Sequence, residues 1–346
     1  MFVVREMKIE VYSPTIRRKE MDAVLTAMVE DRIGPGEQAR FLIQIAKEHI
    51  GFDFCLALRS PAIALYFALK ALNLEEGQGV LISALSPQYY IRVIEDLRLK
   101  PVFCDVLPSQ PVIGRETIET VFQGEPPPRC IALHHALGFV PDTAGIAALG
   151  LPVIEDCSQS YGTPRNEDKT ETSAVFTILG LEERDMLTAG GGALLYAANR
   201  RESSMLRNLG GIPPEYCLAD MNAAMAVIQF KEAARNLEKR REIAQVYTQS
   251  SLRTRHKRFI NQGEYNNYAF PLILETGLKD VKAYAKRKEI VVESAFENSI
   301  EGIGEALPAF YPESYSLSLR TVLFPIYPRL GAAEIERVSK LIMTLP

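Results

Sequence analysis

Short apolar runs alternate with helical stretches from residue 51 to residue 197, and this alternation constrains the fold most. The run at 55–58 precedes a helical stretch at 62–72, and the run at 80–82 precedes one at 89–97. Strands that alternate with helices predict a mainly parallel sheet with helices on both faces, an α/β fold. Such sheets bind ligands beyond the carboxyl ends of their strands. Side chains at those ends are therefore the first functional candidates.

The pattern changes after residue 220. One helical stretch runs from 220 to about 247, and strand-like runs at 266–274 and 290–294 then flank a helix at 278–289. A chain of 346 residues is long enough for about two domains. We predict a large α/β domain in residues 1–232. Residues 233–346 are predicted to form a connecting helix and a small C-terminal α+β domain.

Charge and hydropathy limit the partners of the chain. The net charge of -4 gives no basic footprint, so we expect neither nucleic acid nor an anionic membrane as a partner. No window reaches the roughly 20 apolar residues of a membrane-spanning helix, and Arg5, Glu6 and Lys8 interrupt the apolar start. The five cysteines form no CxxC pair and are typical of reduced thiols. These features predict a soluble cytoplasmic protein.

The segment 151–162 carries the strongest chemical signal. An apolar run delivers Asp156 to its carboxyl end, and Gln159 follows three residues later. A carboxylate at that position either faces a ligand or caps a following helix, and the segment alone leaves both readings open. The glycines at 190–192 lack the spacing of the two common nucleotide-phosphate loops and are typical of a turn.

Other catalytic classes find little support. His134 and His135 end an apolar run, and their spacing to cysteines and carboxylates is not that of metal ligands, so we predict interior or rim histidines and no metal site. The chain has no GxSxG motif, which disfavours a serine hydrolase of that type.

The order of several motifs resembles the DegT/StrS family of nucleotide-sugar aminotransferases, which are pyridoxal-phosphate (PLP) proteins of fold type I. The matching positions are residues 33–36, Ser60, 77–80, 101–106, Gly138 with Asp142, 153–156, 191–193, 220–224, 240–244 and 324–330. The resemblance implies the PLP-transferase fold type I, a nucleotide-sugar-like ligand, and a homodimer with each site at the two-fold interface.

The resemblance also implies contacts to the cofactor ring. In the family, an aspartate contacts the pyridine nitrogen and a glutamine three residues later contacts the 3-oxygen of the ring. Asp156 and Gln159 match both positions. Pro87 replaces the aromatic residue that stacks on the ring, and Tyr89 lies close to it in sequence.

The phosphate contacts of the family are altered. Where the family reads Asn-Ser-Gly-Thr at a helix start, this chain has Pro61, which lacks an N–H, and Ala62, which lacks a hydroxyl. Glu215 aligns with an asparagine that reaches the phosphate from the other subunit, and a carboxylate there repels a phosphate. By resemblance, the residues nearest the phosphate are Arg59, Ser60, Ala62 and Thr177.

The family's Schiff-base lysine has no counterpart. Depending on where a one-residue gap is placed, its position is held by Glu182, Glu183 or Arg184. No lysine occurs between Lys169, in a polar stretch that we interpret as a surface loop, and Lys231. Transamination requires a neutral primary amine, whereas a guanidinium stays charged and a carboxylate forms no imine. We therefore predict no catalytic residue at this position.

Three hypotheses about function follow. The first is an aminotransferase-like protein of nucleotide-sugar or surface-polysaccharide metabolism that no longer transaminates and serves as a binding or partner protein, without a Schiff base to PLP. The second is an active PLP-dependent sugar aminotransferase, or a related PLP enzyme, with non-covalent PLP or an unexpected lysine. The third is a non-enzymatic subunit that forms a heterodimer with a lysine-bearing homologue. Whether the chain is an enzyme stays open at this stage.

Overall fold

A seven-stranded sheet forms the centre of the computed structural model, which describes residues 8–122, 124, 126–163, 174–259, 265–300 and 310–346. Its strands are β1 (Phe54–Leu58), β2 (Gly79–Ser83), β3 (Lys100–Cys104), β4 (Pro128–His134), β5 (Val153–Asp156), β6 (Phe176–Gly180) and β7 (Ala193–Ala197). The spatial order is β1-β7-β6-β5-β4-β2-β3. The strands from β6 to β3 are parallel, and β7 runs antiparallel to both of its neighbours. The predicted mainly parallel sheet is confirmed.

Helices cover both faces of this sheet, as predicted. The helices of the described residues, in chain order, are α1 (Arg18–Val29), α2 (Glu37–Ile50), α3 (Pro61–Ala71), α4 (Tyr89–Asp96), α5 (Arg115–Val121), α6 (Thr143–Ala147), α7 (Arg200–Arg207), α8 (Asp220–Ser251), α9 (Leu278–Arg287), α10 (Pro312–Arg320) and α11 (Ala332–Met343). One face packs against α3, α4 and α7. The opposite face packs against α2 and α8 at one end and α5 and α6 at the other.

Strand β5 contributes side chains to both faces because successive residues of a strand point in opposite directions. Ile154 belongs to the core under α3 and α4, whereas Val153 belongs to the core on the opposite face. By the same alternation, Asp156 lies on the α3 and α4 face and Glu155 on the other. One short strand therefore carries two acidic side chains into two separate environments.

A second, three-stranded antiparallel sheet follows α8. It consists of β8 (Phe270–Ile273), β9 (Glu293–Ser294) and β10 (Thr321–Phe324) in the order β8-β10-β9. The first strand is shorter than the predicted 266–274. Asn267 has φ 54°, a left-handed conformation that interrupts a strand. The side-chain amide of Asn266 donates instead to the carbonyls of Gln159 and Tyr161, at 2.7 and 2.9 Å.

Helix α8 connects the two sheets without a break. It continues four residues beyond the predicted end at Tyr247, and the proposed domain boundary after residue 232 lies within it. The guanidinium of Arg240, which is buried, donates from Nη1 to the carbonyl oxygens of Asn267, Tyr268 and Ile326 at 3.3, 2.9 and 2.8 Å. These bonds fix the helix to the segments that precede β8 and follow β10.

The described residues contain no helix with both the length and the apolar character needed to cross a membrane.

The replacement Arg240→Met tests this connection. Methionine fills a similar volume, but it removes the buried cation and leaves three carbonyl oxygens without the hydrogen bonds of Arg240. We therefore expect the free energy of unfolding to fall by about 2–4 kcal/mol. Urea denaturation of both proteins measures the change. Arg235→Met is the matched control, because the Arg235 side chain is 72% exposed and its ion pair with Glu232 spans 3.6 Å. A loss as small as that of the control would contradict the role assigned to Arg240.

Candidate functional site

A cleft of about 480 Å³ lies at the carboxyl ends of β2, β4 and β5, where the sheet pattern places ligands. From the large sheet it is lined by Leu85, Pro87, His134, Ala136, Leu137, Gln159 and Arg184. From the second sheet and its flanking segments it is lined by Tyr268, residues 293–299 and Leu323. The cleft is therefore bounded by both parts of the chain.

Asp156 lies beneath this cleft at the end of β5 and is only 2% exposed. Its Oδ2 accepts hydrogen bonds from the hydroxyls of Tyr90, at 2.9 Å, and Tyr89, at 3.2 Å. Its Oδ1 accepts from the backbone N–H of Ser158, at 3.0 Å, and from the Ser158 hydroxyl. A carboxylate offers about four acceptor positions. The chain's own donors therefore fill them.

The charge of Asp156 is stabilised in place. Burial acts to raise the pKa of this carboxyl, but interactions with His134 and the hydrogen bonds from Ser158 outweigh it and hold the pKa well below its ordinary value. His134 Nδ1 lies 3.5 Å from Oδ2. Burial and the nearby negative charge raise the pKa values of Tyr89 and Tyr90, so both phenols keep their protons as donors.

The alternative that Asp156 caps a helix is wrong. Residues 158–162 form turns, and the carboxylate accepts from the first of these turn residues. The carboxylate therefore caps a turn at the edge of the cleft.

Gln159 lies on the wall of the cleft, next to the turn that follows β4. Its Oε1 accepts a hydrogen bond of 2.7 Å from the backbone N–H of Leu137. Leu137 has φ 57°, which a branched side chain rarely adopts, and this bond helps to hold it there. Gln159 thus has a structural partner in its own chain.

Two of the three residues predicted at the lysine position do not line the cleft. The carboxyl of Glu182 accepts a hydrogen bond from the backbone of Gly192, and partial burial raises its pKa. Glu183 is exposed, and its carbonyl oxygen accepts from the hydroxyl of Tyr12. Lys169 lies outside the described residues.

Arg184 is the candidate that does line the cleft. Its guanidinium makes a two-pronged ion pair with Glu293 of β9, with Nη1–Oε2 at 2.6 Å and Nη2–Oε1 at 3.3 Å. The fork of arginine matches a carboxylate in this geometry. The pair bridges the loop after β6 and the second sheet across the cleft.

Asp185 is a further acidic group at this site, and the sequence analysis missed it. Its Oδ2 accepts from the backbone N–H of Glu182 at 2.8 Å, and a Cβ at Gly180 would collide with that oxygen. Burial, followed by the charges of Asp156 and Glu182, raises its pKa from 3.8 to about 7. The acidic run around it resembles a solvated loop, so the sequence held no signal for a withdrawn carboxyl.

The residues predicted to hold a phosphate are not all brought together. Ser60 caps α3 by accepting from the backbone N–H of Ile63 at 3.3 Å, and Pro61 and Ala62 begin that helix. Arg59 is exposed, and its backbone N–H donates to the carbonyl of Tyr216 at 2.9 Å. The neighbours of Thr177 in β6 pack under α3, so the Thr177 side chain points to the opposite face.

These residues do not fit PLP held as the family holds it. The acceptors of the predicted ring aspartate already have donors, and the predicted threonine faces away from the helix that would hold the phosphate. The segment between β6 and β7 contains no lysine.

Comparison with known proteins identifies the class. The family model of the DegT/DnrJ/EryC1/StrS aminotransferases matches residues 14–343, so the chain belongs to this family. The fold is that of the PLP-transferases of fold type I.

Individual relatives are distant in sequence. An L-glutamine:2-deoxy-scyllo-inosose aminotransferase of Streptomyces fradiae is 26% identical over 201 residues, which cover 56% of this chain and only 46% of that relative. The aminotransferase TlmJ of Streptoalloteichus hindustanus superposes with a TM-score of 0.85 at 18% identity and covers 97% of this chain and 98% of its own. A Streptococcus pneumoniae chain described as a sugar aminotransferase, in its PLP form, superposes with a TM-score of 0.86 at 14% identity. The superposition covers 97% of this chain and 98% of that chain.

The raised pKa of Asp185 makes stability depend on pH. The folded state holds this proton more tightly than the unfolded state, so stability falls as pH rises from 3.8 to about 7. Asp185→Asn keeps an oxygen acceptor for Glu182 and removes the titration. We expect wild type to lose about 1–3 kcal/mol more than this variant between about pH 5 and about pH 8.

Urea denaturation at the two pH values measures this difference. Asp96→Asn is the control, because the Asp96 side chain is 52% exposed in a surface ion pair with Arg92 and its removal should not change the pH dependence. Parallel pH profiles for wild type and Asp185→Asn would show that the carboxyl is not withdrawn from water.

Proposed function

We propose that this family member binds a nucleotide-sugar-like ligand in the cleft and does not transfer amino groups. The observation that carries the proposal is the state of Asp156, whose carboxylate accepts four hydrogen bonds from three residues of its own chain. A pyridine nitrogen has to displace at least one of those donors before it can bind. The ligand class rests on the family alone.

Arg184 supports the same proposal. We infer that it occupies the position of the family's lysine, because it alone of the three candidate residues lines the cleft. A guanidinium keeps its proton at neutral pH and is a poor nucleophile, so it cannot supply the covalent link. Its pair with Glu293 uses the charge to connect the two walls of the cleft. We therefore assign Arg184 a binding and positioning role.

A second candidate function is catalysis with non-covalent PLP. By resemblance, Asp156 and Gln159 match the two residues with which the family contacts the ring. Asp156 is held as an anion, and Gln159 lines the cleft. When bound, PLP would supply an electron-accepting ring. A cytoplasmic location and a heterodimer with a lysine-bearing homologue stay proposals of the same kind.

The two functions are separated by cofactor and turnover assays on the full-length protein. With excess PLP, an amino donor and a dTDP-linked 4-ketosugar, we expect no imine absorbance band, no pyridoxyl adduct after borohydride trapping and no amino sugar. Calorimetry with the same ketosugar nucleotide should detect binding in the absence of PLP. Amino-sugar formation above the blank would overturn the proposal. Absence of any ketosugar binding would refute its ligand-binding part.

Restoring the missing groups tests the reason for inactivity. Tyr89→Phe with Tyr90→Phe frees Oδ2 of Asp156, and Arg184→Lys adds a primary amine. We expect a borohydride-trapped adduct at position 184 only when all three replacements are combined. The tyrosine hydroxyls on Asp156 and the missing amine are each sufficient to prevent it. Lys231→Arg in the triple variant is the control that excludes labelling of the next lysine. An adduct at position 184 in the single variant Arg184→Lys would show that the two tyrosine hydroxyls are no obstacle.

We further propose a homodimer. Helix α1 packs against α8 and exposes an apolar stripe formed by Met21, Leu25, Met28 and Val29, which are 52–75% exposed. Residues at this spacing lie on one helix face. A second copy of the chain would cover the stripe and complete the two-fold arrangement that the family resemblance implies.

The oligomeric state tests this surface. Leu25→Glu places a charge in the stripe, and we expect light scattering after gel filtration to show a shift from dimer to monomer. Thr26→Glu, on a neighbouring exposed face of α1, should leave the dimer intact. A monomeric wild type would refute the homodimer, and a dimer that survives Leu25→Glu would exclude this stripe as its interface.

A further inference from the structure

Three potential metal ligands meet on the face of the sheet opposite Asp156. They are His135, Glu155 and Cys157, and all three side chains are buried, with exposures of 0%, 0% and 5%. Their ligand atoms lie within 4.8 Å of one another, and the Cys157 Sγ lies 3.9 Å from Oε2 of Glu155. Within the described ranges no second group of this kind occurs. The cluster is separate from the cleft described above.

The strand geometry explains why these residues meet. Glu155 and Cys157 are two positions apart at the end of β5, so their side chains point to the same face. His135 follows the neighbouring strand β4, and its backbone N–H donates to the carbonyl of Asp156 at 3.1 Å. This bond holds the histidine beside the end of β5. Linear spacing predicted no metal site because the ligands come from two strands.

The Nδ1 atom of His135 has a hydrogen-bond partner in Ser160. Nδ1 lies 2.8 Å from the hydroxyl of Ser160, which also lies 3.4 Å from the carbonyl of Cys157. A hydrogen bond on one ring nitrogen orients the other nitrogen toward a metal, as the outer contacts of histidine ligands usually do. Ser160 therefore acts as a positioning residue for His135.

We propose that His135, Glu155 and Cys157 form a zinc site. Nitrogen, carboxylate oxygen and thiolate sulfur are the donors that zinc takes in proteins, and three protein ligands leave a fourth position for another ligand. Binding replaces the thiol proton of Cys157 by the metal, and the proton is released to solvent. The divalent charge would balance the Glu155 carboxylate and the thiolate that forms when the metal binds.

A second cavity gives the metal a route and an open side. Its volume is about 460 Å³, and its wall includes Cys157, Ser160, Tyr161 and Lys231. Cys157 therefore belongs both to the ligand cluster and to the cavity wall. A small anion or water at the fourth position of the metal would lie in this cavity.

Metal analysis and Co²⁺ substitution test the proposal on the full-length protein purified without a histidine tag. After chelator treatment and dialysis, titration with Zn²⁺ should load about one ion per chain, with release of about one proton. Co²⁺ should give visible d–d bands together with the ultraviolet charge-transfer band of a cobalt–thiolate bond. Zn²⁺ should then displace the cobalt and abolish these bands.

Variants assign the ligands. Cys157→Ser should abolish the charge-transfer band and weaken Zn²⁺ binding by at least about tenfold, and Ser160→Ala should weaken it by about tenfold or more while the band is retained. Cys130→Ser, at a buried thiol of β4 on the other face, should change neither.

Two outcomes would overturn the proposal. One is a wild-type protein that takes up no zinc and shows no cobalt–thiolate band, which would leave the cluster as a buried histidine, carboxyl group and thiol that bind no metal. The other is Zn²⁺ binding that Cys157→Ser leaves unchanged. The cobalt spectrum of wild type decides the matter even where a variant fails to fold.

Discussion

The hydrogen bonds that fill the acceptor positions of the Asp156 carboxylate determine which groups can bind at the base of the cleft. A buried anion requires donors, and this chain supplies them from α4 and from the turn after β5, so the phenols of Tyr89 and Tyr90 are held directly above the end of the strand. The same side chains pack into the core beneath α3 and α4. Ligand binding and core packing are thereby coupled, since a ligand that hydrogen-bonds to Oδ2 of Asp156 has to displace the hydroxyl of half-buried Tyr89 or of buried Tyr90.

Arg184 and Glu293 add a second coupling, between the loop after β6 and the second sheet. The pair joins two residues that line the cleft, and the Glu293 side chain is only 29% exposed. Arg240 makes a second connection, because it fixes α8 to the segments on either side of the second sheet. The ion pair and Arg240 thus join the two parts of the chain at two separate places. A family that uses a lysine at this loop uses its amine for covalent chemistry. Here, a cation in the same loop is engaged in a contact across the cleft.

Periodicity was sufficient to predict the mainly parallel sheet and its helices, because alternating strands and helices permit few arrangements. Ligand binding at the end of β5 stays a prediction. Residue order also identified the family. Gln159 lines the cleft, and the cofactor contacts that the resemblance implies for Asp156 and Gln159 stay predictions. The sequence could not show which side chains form hydrogen bonds with one another. Nothing in the spacing of Tyr89, Tyr90 and Asp156 indicates that the phenols donate to the carboxylate. The effect of the Asp156 charge on the pKa of Asp185 and the meeting of His135 with Glu155 likewise depend on residues that are distant in the chain.

The alternation within β5 has an evolutionary consequence. Asp156 and Glu155 are adjacent in sequence, yet their side chains have different neighbours, so selection can act on one without altering the other. Substitutions around Asp156 can accumulate while the reverse side of the sheet keeps its own residues. A single peptide segment thus lets the two faces of the sheet change independently, although only the thickness of one strand separates them.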